Sequence, residues 1–310
     1  MVRVGSLLVG SFQLFLLLAA HFTVLLLATG PNIDTVFKEW FLENGGSFNS
    51  IDIETFADMG RGFVAAKDVS SEQEIIKIPS LLIFSVSNLR SLKADPVLAL
   101  IHDVFDPDNA IAAWLLLEKM RGEASFFKPY LDVLPSYVPS LIHFSVKDLR
   151  ELQNPKLEGE ARQMQMQTRN DYDEFISNAQ NFWPFPLEDS HNSFELYKWA
   201  VTIINSRGLR FHGIVYLSPM ADLFNYAPHS ETRKAASGEF FTNHHKLAAT
   251  ADGGITILAD RDVPKGSQVF EDYGDNNDDL YLKYHGFVAN NNPFTCVNLE
   301  TAEFVEIKTR

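Results

Sequence analysis

The sequence predicts an α+β fold in which a domain of short strands is interrupted by a block of helices. Three observations predict it. Residues 51–84 alternate Val/Ile/Phe-rich runs with turn signals at Gly60, Gly62 and "SSEQ" (70–73), the patterning of short strands. The period then changes: in "DPDNAIAAWLLLEKMRGE" (106–123), Ile111, Trp114, Leu115, Leu116 and Leu117 form a broad apolar face between Pro107 and Gly122, conventional helix start and stop signals. After residue 210 strand signals return in "GIVYLSPM" (213–220), "KLAATADGGITILADRDV" (246–263) and "SQVFEDYG" (267–274).

The elements follow in order. "SVKDLRELQN" (145–154) opens with a Ser-x-x-Asp capping pattern and reads as a helix. "TRNDYDEFISNAQNFW" (168–183) continues the helical block. "NSFELYKWAVTIINSR" (192–207) closes it, with Phe194, Tyr197, Ala200, Val201 and Ile204 on one side. In the second strand region, Gly253-Gly254 and Pro264-Lys265-Gly266 sit between strand signals, which favours hairpins and tight corners over long crossovers. No glycine-rich loop follows a strand and opens a helix, which argues against a Rossmann domain. The chain shows no internal repeat and no low-complexity linker.

Residues 1–30 stand apart. They carry Arg3, no acidic residue and a long apolar run, the composition of a signal peptide or an uncleaved membrane anchor. Ala28 and Gly30 offer small residues for cleavage before Pro31, although proline just after a cut is unfavourable. The run, at roughly 20 or more residues, exceeds the usual signal core of roughly 7–15. Both readings stay open: the secretory pathway, endomembrane or a plastid reached through it, or a membrane tether through residues 4–30.

The net charge of −14 over 310 residues argues against sequence-independent nucleic-acid binding, which needs basic patches to neutralise phosphates. An acidic surface suits a basic partner, but solubility explains it as well. The single cysteine, Cys296, excludes an internal disulfide and any cysteine-based zinc cluster. His244 and His245 are adjacent, and neighbouring side chains on a strand diverge, so the pair is not read as a metal site.

Chemistry concentrates in separated motifs. "MADLFNY" (220–226) sets Asp222 and Asn225 three apart in apolar company. A buried amide there needs backbone partners or a polar ligand. The others are "GRGFVAAKDV" (60–69), "INSRGL" (204–209), "VFEDYG" (269–274) and "LYLKYHGF" (280–287). Each alone has an ordinary explanation: a turn at Gly60–Gly62, a helix C-terminal charge at Arg207, a strand-end aromatic with a wet hydroxyl at Tyr273.

In this order and spacing, the chain from about residue 48 to 310 resembles the SET-domain protein methyltransferases. Within them it is similar to the branch of the Rubisco large-subunit lysine methyltransferase and the actin histidine methyltransferase. "WLLLEKMRGEASFFKPYLDVLP" (114–135) looks like that branch's helical insertion, and "HGFVANNNPFTCV" (285–297) stands where it has Gly-Phe before Asn-Pro. The resemblance implies a β-clip of short strands with a pseudo-knot. It places the N-terminal part of the SET domain at 48–88, the insertion at 89–205 and the C-terminal part at 206–292. Residues 293–310 would start a truncated or absent C-terminal substrate-binding domain.

The resemblance also implies an S-adenosylmethionine-dependent protein N-methyltransferase, acting on lysine in a protein substrate, without a metal. Tyr273 takes the place of the catalytic tyrosine. Asn225 and Tyr226, with backbone groups of Met59, Gly60 and Arg61, take the cofactor's place, glycine permitting close approach. Arg207, Asp222, Tyr284 and His285 take the substrate side. The chain departs from the pattern at Tyr226, where the family has His, and at His285, where it often has Tyr. These departures motivate two alternatives: a histidine target, or a SET-like interaction module without catalysis.

Overall fold

The structure, a computed structural model, describes residues 32–295 apart from 93, 187–190, 212–213, 227–244, 272, 275, 291 and 293. The expectations for the leader at 1–30, for His244 and for Cys296 lie outside the described residues.

The first described element is one the motifs did not announce. Helix α1 (Ile33–Glu43) is capped by Asn32, whose side chain accepts from the Asp34 N–H at 2.9 Å. Its Phe37, Trp40 and Phe41, spaced three and four apart, are buried on one face. Strands β1 (Ser47–Phe48), β2 (Ile51–Phe56), β3 (Gly60–Ala65) and β4 (Glu74–Ile78) follow. The turn between β2 and β3 occupies residues 57–59, so the two glycines expected to break the strand instead lie inside β3.

The helical block holds α2 (Val86–Ser91), α3 (Pro96–Val104), α4 (Pro107–Arg121), α5 (Lys128–Val133), α6 (Val146–Glu151), α7 (Pro155–Ala179) and α8 (His191–Arg207). Helix α4 starts on the Asp106 carboxylate, which accepts from the N–H groups of Asp108 and Asn109. Residues Ala110 to Glu118 are all buried, so its apolar character wraps the helix and puts it at the centre. Ser145 and Asp148 form the expected capping box of α6. Helix α7 begins thirteen residues before the stretch read as helical, at Pro155 behind an Asn154 cap.

The chain returns to strands with β5 (Leu209–Phe211), β6 (Ile214–Tyr216), β7 (Asn225–Tyr226), β8 (His245–Ala249), β9 (Ile255–Ala259) and β10 (Gln268–Glu271). A short helix α9 (Asp278–Leu280) runs into a π-turn, Tyr281–His285. One sheet orders β1-β4-β9-β8 and a second β2-β3-β10-β7, with β5-β6 as a separate hairpin. The Gly253-Gly254 corner joins antiparallel β8 and β9, as its turn chemistry predicts.

Both sheets draw strands from both halves of the sequence, so after the helical block the chain has to return to the strands it left. Phe84 marks the seam: it bridges to Leu217 and packs on Trp114 and Phe127 with ring centroids 4.5 and 4.3 Å away. Dense aromatic packing of this kind holds the insertion to the strand domain.

Candidate active site

The site forms where two C-terminal motifs run side by side. Strands β7 and β10 pair in parallel, with Phe270 opposite Asn225 and Glu271 opposite Tyr226. The Tyr273 hydroxyl, just past β10, donates to the Phe224 carbonyl at 2.6 Å. Tyr281 reaches back to donate to the Gly274 carbonyl, also at 2.6 Å. These bonds fasten residues 224–226 to residues 270–281.

Two cavities meet here. The first, of about 330 Å³, lies against Met59, Arg61, Asn225, Tyr226, Phe287 and Ala289. The second, of about 780 Å³, lies against Gly208, Leu209, Arg210, Glu271 and Tyr284. Ser206, Arg207, Asp222, Tyr273 and His285 border both. Volumes of several hundred Å³ are of the size that holds small molecules.

The shared wall is a connected polar network. Arg207, the last residue of α8, donates through Nη1 to the Asp222 carbonyl at 2.8 Å and to its Oδ2 at 3.3 Å. Tyr130, from α5, donates to the same Oδ2 at 2.9 Å. Burial pushes the Asp222 carboxyl up from the usual carboxylate range, against the pull of Arg207 and Tyr130. Burial likewise raises the Tyr273 phenol, and Glu271 adds to the rise. Tyr273 is therefore a neutral phenol at ordinary pH.

Buried polar atoms are left over at the site. Asn225 Nδ2 and Asp222 Oδ1 have no hydrogen-bond partner among the described residues. A buried donor without an acceptor costs roughly 1–3 kcal/mol, so Asn225 is poised for something that enters the cavity. The Asn225 amide lies over Gly62, where any Cβ would fall on Nδ2 and within 3.0 Å of Gln268 Nε2. The glycine of close approach is thus Gly62. At Gly60 an added Cβ would meet nothing within 4 Å, and the reason for glycine is its φ of +72°.

Aromatic rings line the junction. Tyr226 lies 5.6 Å from Tyr273, 4.9 Å from Tyr281 and 6.0 Å from Phe287. His285 stacks on Tyr273 at 5.0 Å and 24°. Its Nδ1 is 3.0 Å from the Ser206 carbonyl.

Comparison with known proteins gives the arrangement a context. Proteins named actin-histidine N-methyltransferase from Canis lupus familiaris and Homo sapiens are 23% identical over 273 residues. The match takes in 84% of this chain and 44% and 43% of theirs, so the chain spans less than half the length of these curated relatives. No family model matches the chain. Among solved structures, the SET domain of LSMT bound to lysine and AdoHcy superposes with a TM-score of 0.67 at 22% identity, over 84% of this chain and 58% of that one. Rubisco LSMT bound to AdoMet gives 0.67 and 22%, over 84% and 57%. The fold is that of a SET domain.

In this SET fold the sequence-derived candidates fall in three groups. Met59, Arg61, Asn225 and Tyr226 border the first cavity. The Arg61 side chain turns to Asp34 at 2.6 Å and the Val133 carbonyl at 3.2 Å, bracing β3 against α1 and the insertion. Gly60 is the one cofactor candidate that does not border the cavity among the described residues. Arg207, Asp222, Tyr273 and His285 sit on the shared wall, whereas Tyr284 borders the second cavity and not the first, and carries the Lys283 ammonium 5.3 Å from its ring. The Tyr273 hydroxyl, expected to be wet as a strand-end residue, instead has a carbonyl partner.

The segments quoted from the sequence contain Tyr130, Gly62 and Ser206, but the roles of the Tyr130 hydroxyl, the Gly62 close approach and the Ser206 carbonyl were not read from them. Tyr130 lies in the insertion segment quoted above, but 92 residues separate it from Asp222. Among the described residues no group of three or more His, Cys, Asp or Glu side chains could hold a metal ion. No described helix is long and apolar enough to cross a membrane.

Proposed function

We propose that the chain is an S-adenosylmethionine-dependent protein N-methyltransferase acting on a lysine side chain. The observation that carries this reading is the meeting of two cavities on one wall, with an unpartnered buried amide in the first. The fit to the cofactor is chemical: the amino-acid end of S-adenosylmethionine brings a carboxylate, the acceptor that Asn225 Nδ2 lacks. Met59 and Arg61 border the same space, and Tyr226 and Phe287 offer aromatic faces to a cation.

S-adenosylmethionine, held beside Asn225 and Tyr226, would supply a methyl group on positively charged sulfur, with the sulfur keeping the electron pair of the broken bond and the lone pair of the substrate nitrogen making the new one. The chain's own residues have to position and desolvate. A lysine ammonium, with an ordinary pKa near 10.4, has to shed a proton before it can attack. Walls of Tyr226, Tyr273 and Phe287 favour the neutral amine by withholding water. Having donated its only proton to Phe224, the Tyr273 oxygen can only accept. It therefore orients an N–H of the substrate and does not act as a base in bulk terms.

A histidine target is the second reading, favoured by the names of the sequence relatives. The test is calorimetric titration of the purified chain with S-adenosylmethionine and S-adenosylhomocysteine, then labelled-methyl transfer onto lysine-bearing and histidine-bearing peptides. Micromolar binding with label on lysine supports the reading, and label on histidine alone overturns the lysine assignment. A folded chain that binds neither compound is the interaction module instead.

A further inference from the structure

We infer that Nε2 of His285 is a hydrogen-bond acceptor for the substrate's attacking nitrogen, paired with the Tyr273 oxygen, so that the junction selects a nitrogen with more than one N–H: a primary amine. The inference rests on the methyltransferase reading and names the chemistry of its substrate.

The argument starts from which atoms can give a proton. A backbone carbonyl only accepts, so the 3.0 Å contact between Nδ1 and the Ser206 oxygen places the proton on Nδ1. A neutral ring then carries its lone pair on Nε2. Burial holds the His285 pKa below its ordinary value, more than the Ser206 bond restores it, so the neutral form prevails at pH 7. Ser206 itself comes from the last turn of α8, and the stack on Tyr273 fixes the plane of the ring.

The second acceptor is the Tyr273 oxygen, whose proton is committed to Phe224. Both side chains border the two cavities. The junction thus offers two acceptors from residues with no proton left to donate there. A neutral primary amine has the complementary set: two N–H groups for the acceptors and one lone pair left to attack. The attacking nitrogen of a neutral imidazole carries its lone pair and no N–H, so it satisfies neither acceptor. Each methyl group added to an amine removes one N–H, so the complementarity weakens as methylation proceeds.

The test reads binding, not turnover. The full chain, loaded with S-adenosylhomocysteine, is examined by ¹⁵N histidine NMR at neutral pH, with H285F assigning the signal. It is then titrated with free L-lysine and with Nε-trimethyl-lysine, which keeps the charge and has no N–H on that nitrogen. Nδ1 protonated, Nε2 bare, and an Nε2 shift with lysine but not with trimethyl-lysine is the expected result. H285F should still bind S-adenosylhomocysteine while losing about tenfold of the preference for lysine over trimethyl-lysine, the scale of one hydrogen bond to a charged group. A proton on Nε2 of the wild-type chain, or equal shifts with both probes, overturns the inference even if the variant fails to fold. Failure of S-adenosylhomocysteine to bind at all overturns the methyltransferase reading beneath it, a separate and recognisable outcome.

Discussion

The Tyr273 hydroxyl and the Phe224 carbonyl, 2.6 Å apart, join the end of β10 to the residue before β7. The bond does two things at once. It satisfies a backbone acceptor beside the parallel strand pair, and it uses up the phenol's only proton, so that the oxygen faces the junction as an acceptor. Structure and proposed chemistry are therefore separable by a single atom.

Tyr273→Phe removes that atom and keeps the ring. Methyl transfer should fall by about 100-fold, the scale of removing one oriented polar group from a transition state, while S-adenosylmethionine affinity stays nearly intact. Stability should fall by about 1 kcal/mol for the lost bond to Phe224. Initial rates, calorimetry and urea unfolding on the same preparation separate the three quantities. Undiminished turnover would remove Tyr273 from the chemistry.

Asn225→Ala should behave in the opposite way. The amide nitrogen has no partner among the described residues, so its removal takes away an unsatisfied buried donor and leaves thermal stability of the free chain the same or slightly higher. Affinity for S-adenosylmethionine should drop by about tenfold or more, the scale of a hydrogen bond to a charged group. The melting-temperature rise on adding the compound should shrink accordingly. A variant that melts lower yet binds normally would make Asn225 a structural residue.

How far the sequence anticipated this follows from the range over which each feature is determined. The Pro107 start of α4, the cap at Ser145 and the Gly253-Gly254 hairpin depend on a few neighbouring residues, and all were legible. The motif residues that meet on the shared wall were legible as a set, through resemblance, but not their bonding. Nothing local says that Tyr130 reaches Asp222, or that Gly62 is small because Asn225 lies over it. Helix α7 was read short because its buried positions in the first half, Leu157 and Ala161, are diluted by "RQMQMQ". Helix α1 was passed over because three aromatic contacts carry its burial, too few for a periodic signal.

Gly62→Ala tests the close approach directly. The new Cβ would fall on Asn225 Nδ2 and crowd Gln268 and Phe56, and overpacking of this kind costs about 1–3 kcal/mol. Because the displaced group is the proposed cofactor contact, S-adenosylmethionine binding should weaken along with stability. Gly60→Ala provides the comparison: strained by its φ of +72° but without a collision, it should destabilise the chain and leave affinity less affected.

The pH response of lysine binding follows from His285. Its pKa lies below the ordinary 6.5 because burial disfavours the charged ring. The accepting form is the neutral one, so binding of free lysine to the S-adenosylhomocysteine-loaded chain should be intact at pH 7 and be lost as the pH falls below the ordinary histidine range and Nε2 takes a proton. Other titratable and charged groups border the same cavity or lie on elements packed against this turn. Arg207 comes from α8, Asp222 from the 221–223 turn, Glu271 and Tyr273 from β10 and its end, Tyr281 and Tyr284 from its own turn. The packed 141–143 turn brings His143, bonded to Thr202 and also held below its ordinary pKa by burial. Of these, Asp222 could mimic the effect, since its carboxyl is raised and gains a proton in the same direction. His285→Phe separates them: the acid loss should disappear in this variant, leaving weaker and pH-independent binding across the range. If the loss persists at the same pH, the proton is on Asp222 or His143 and not on His285.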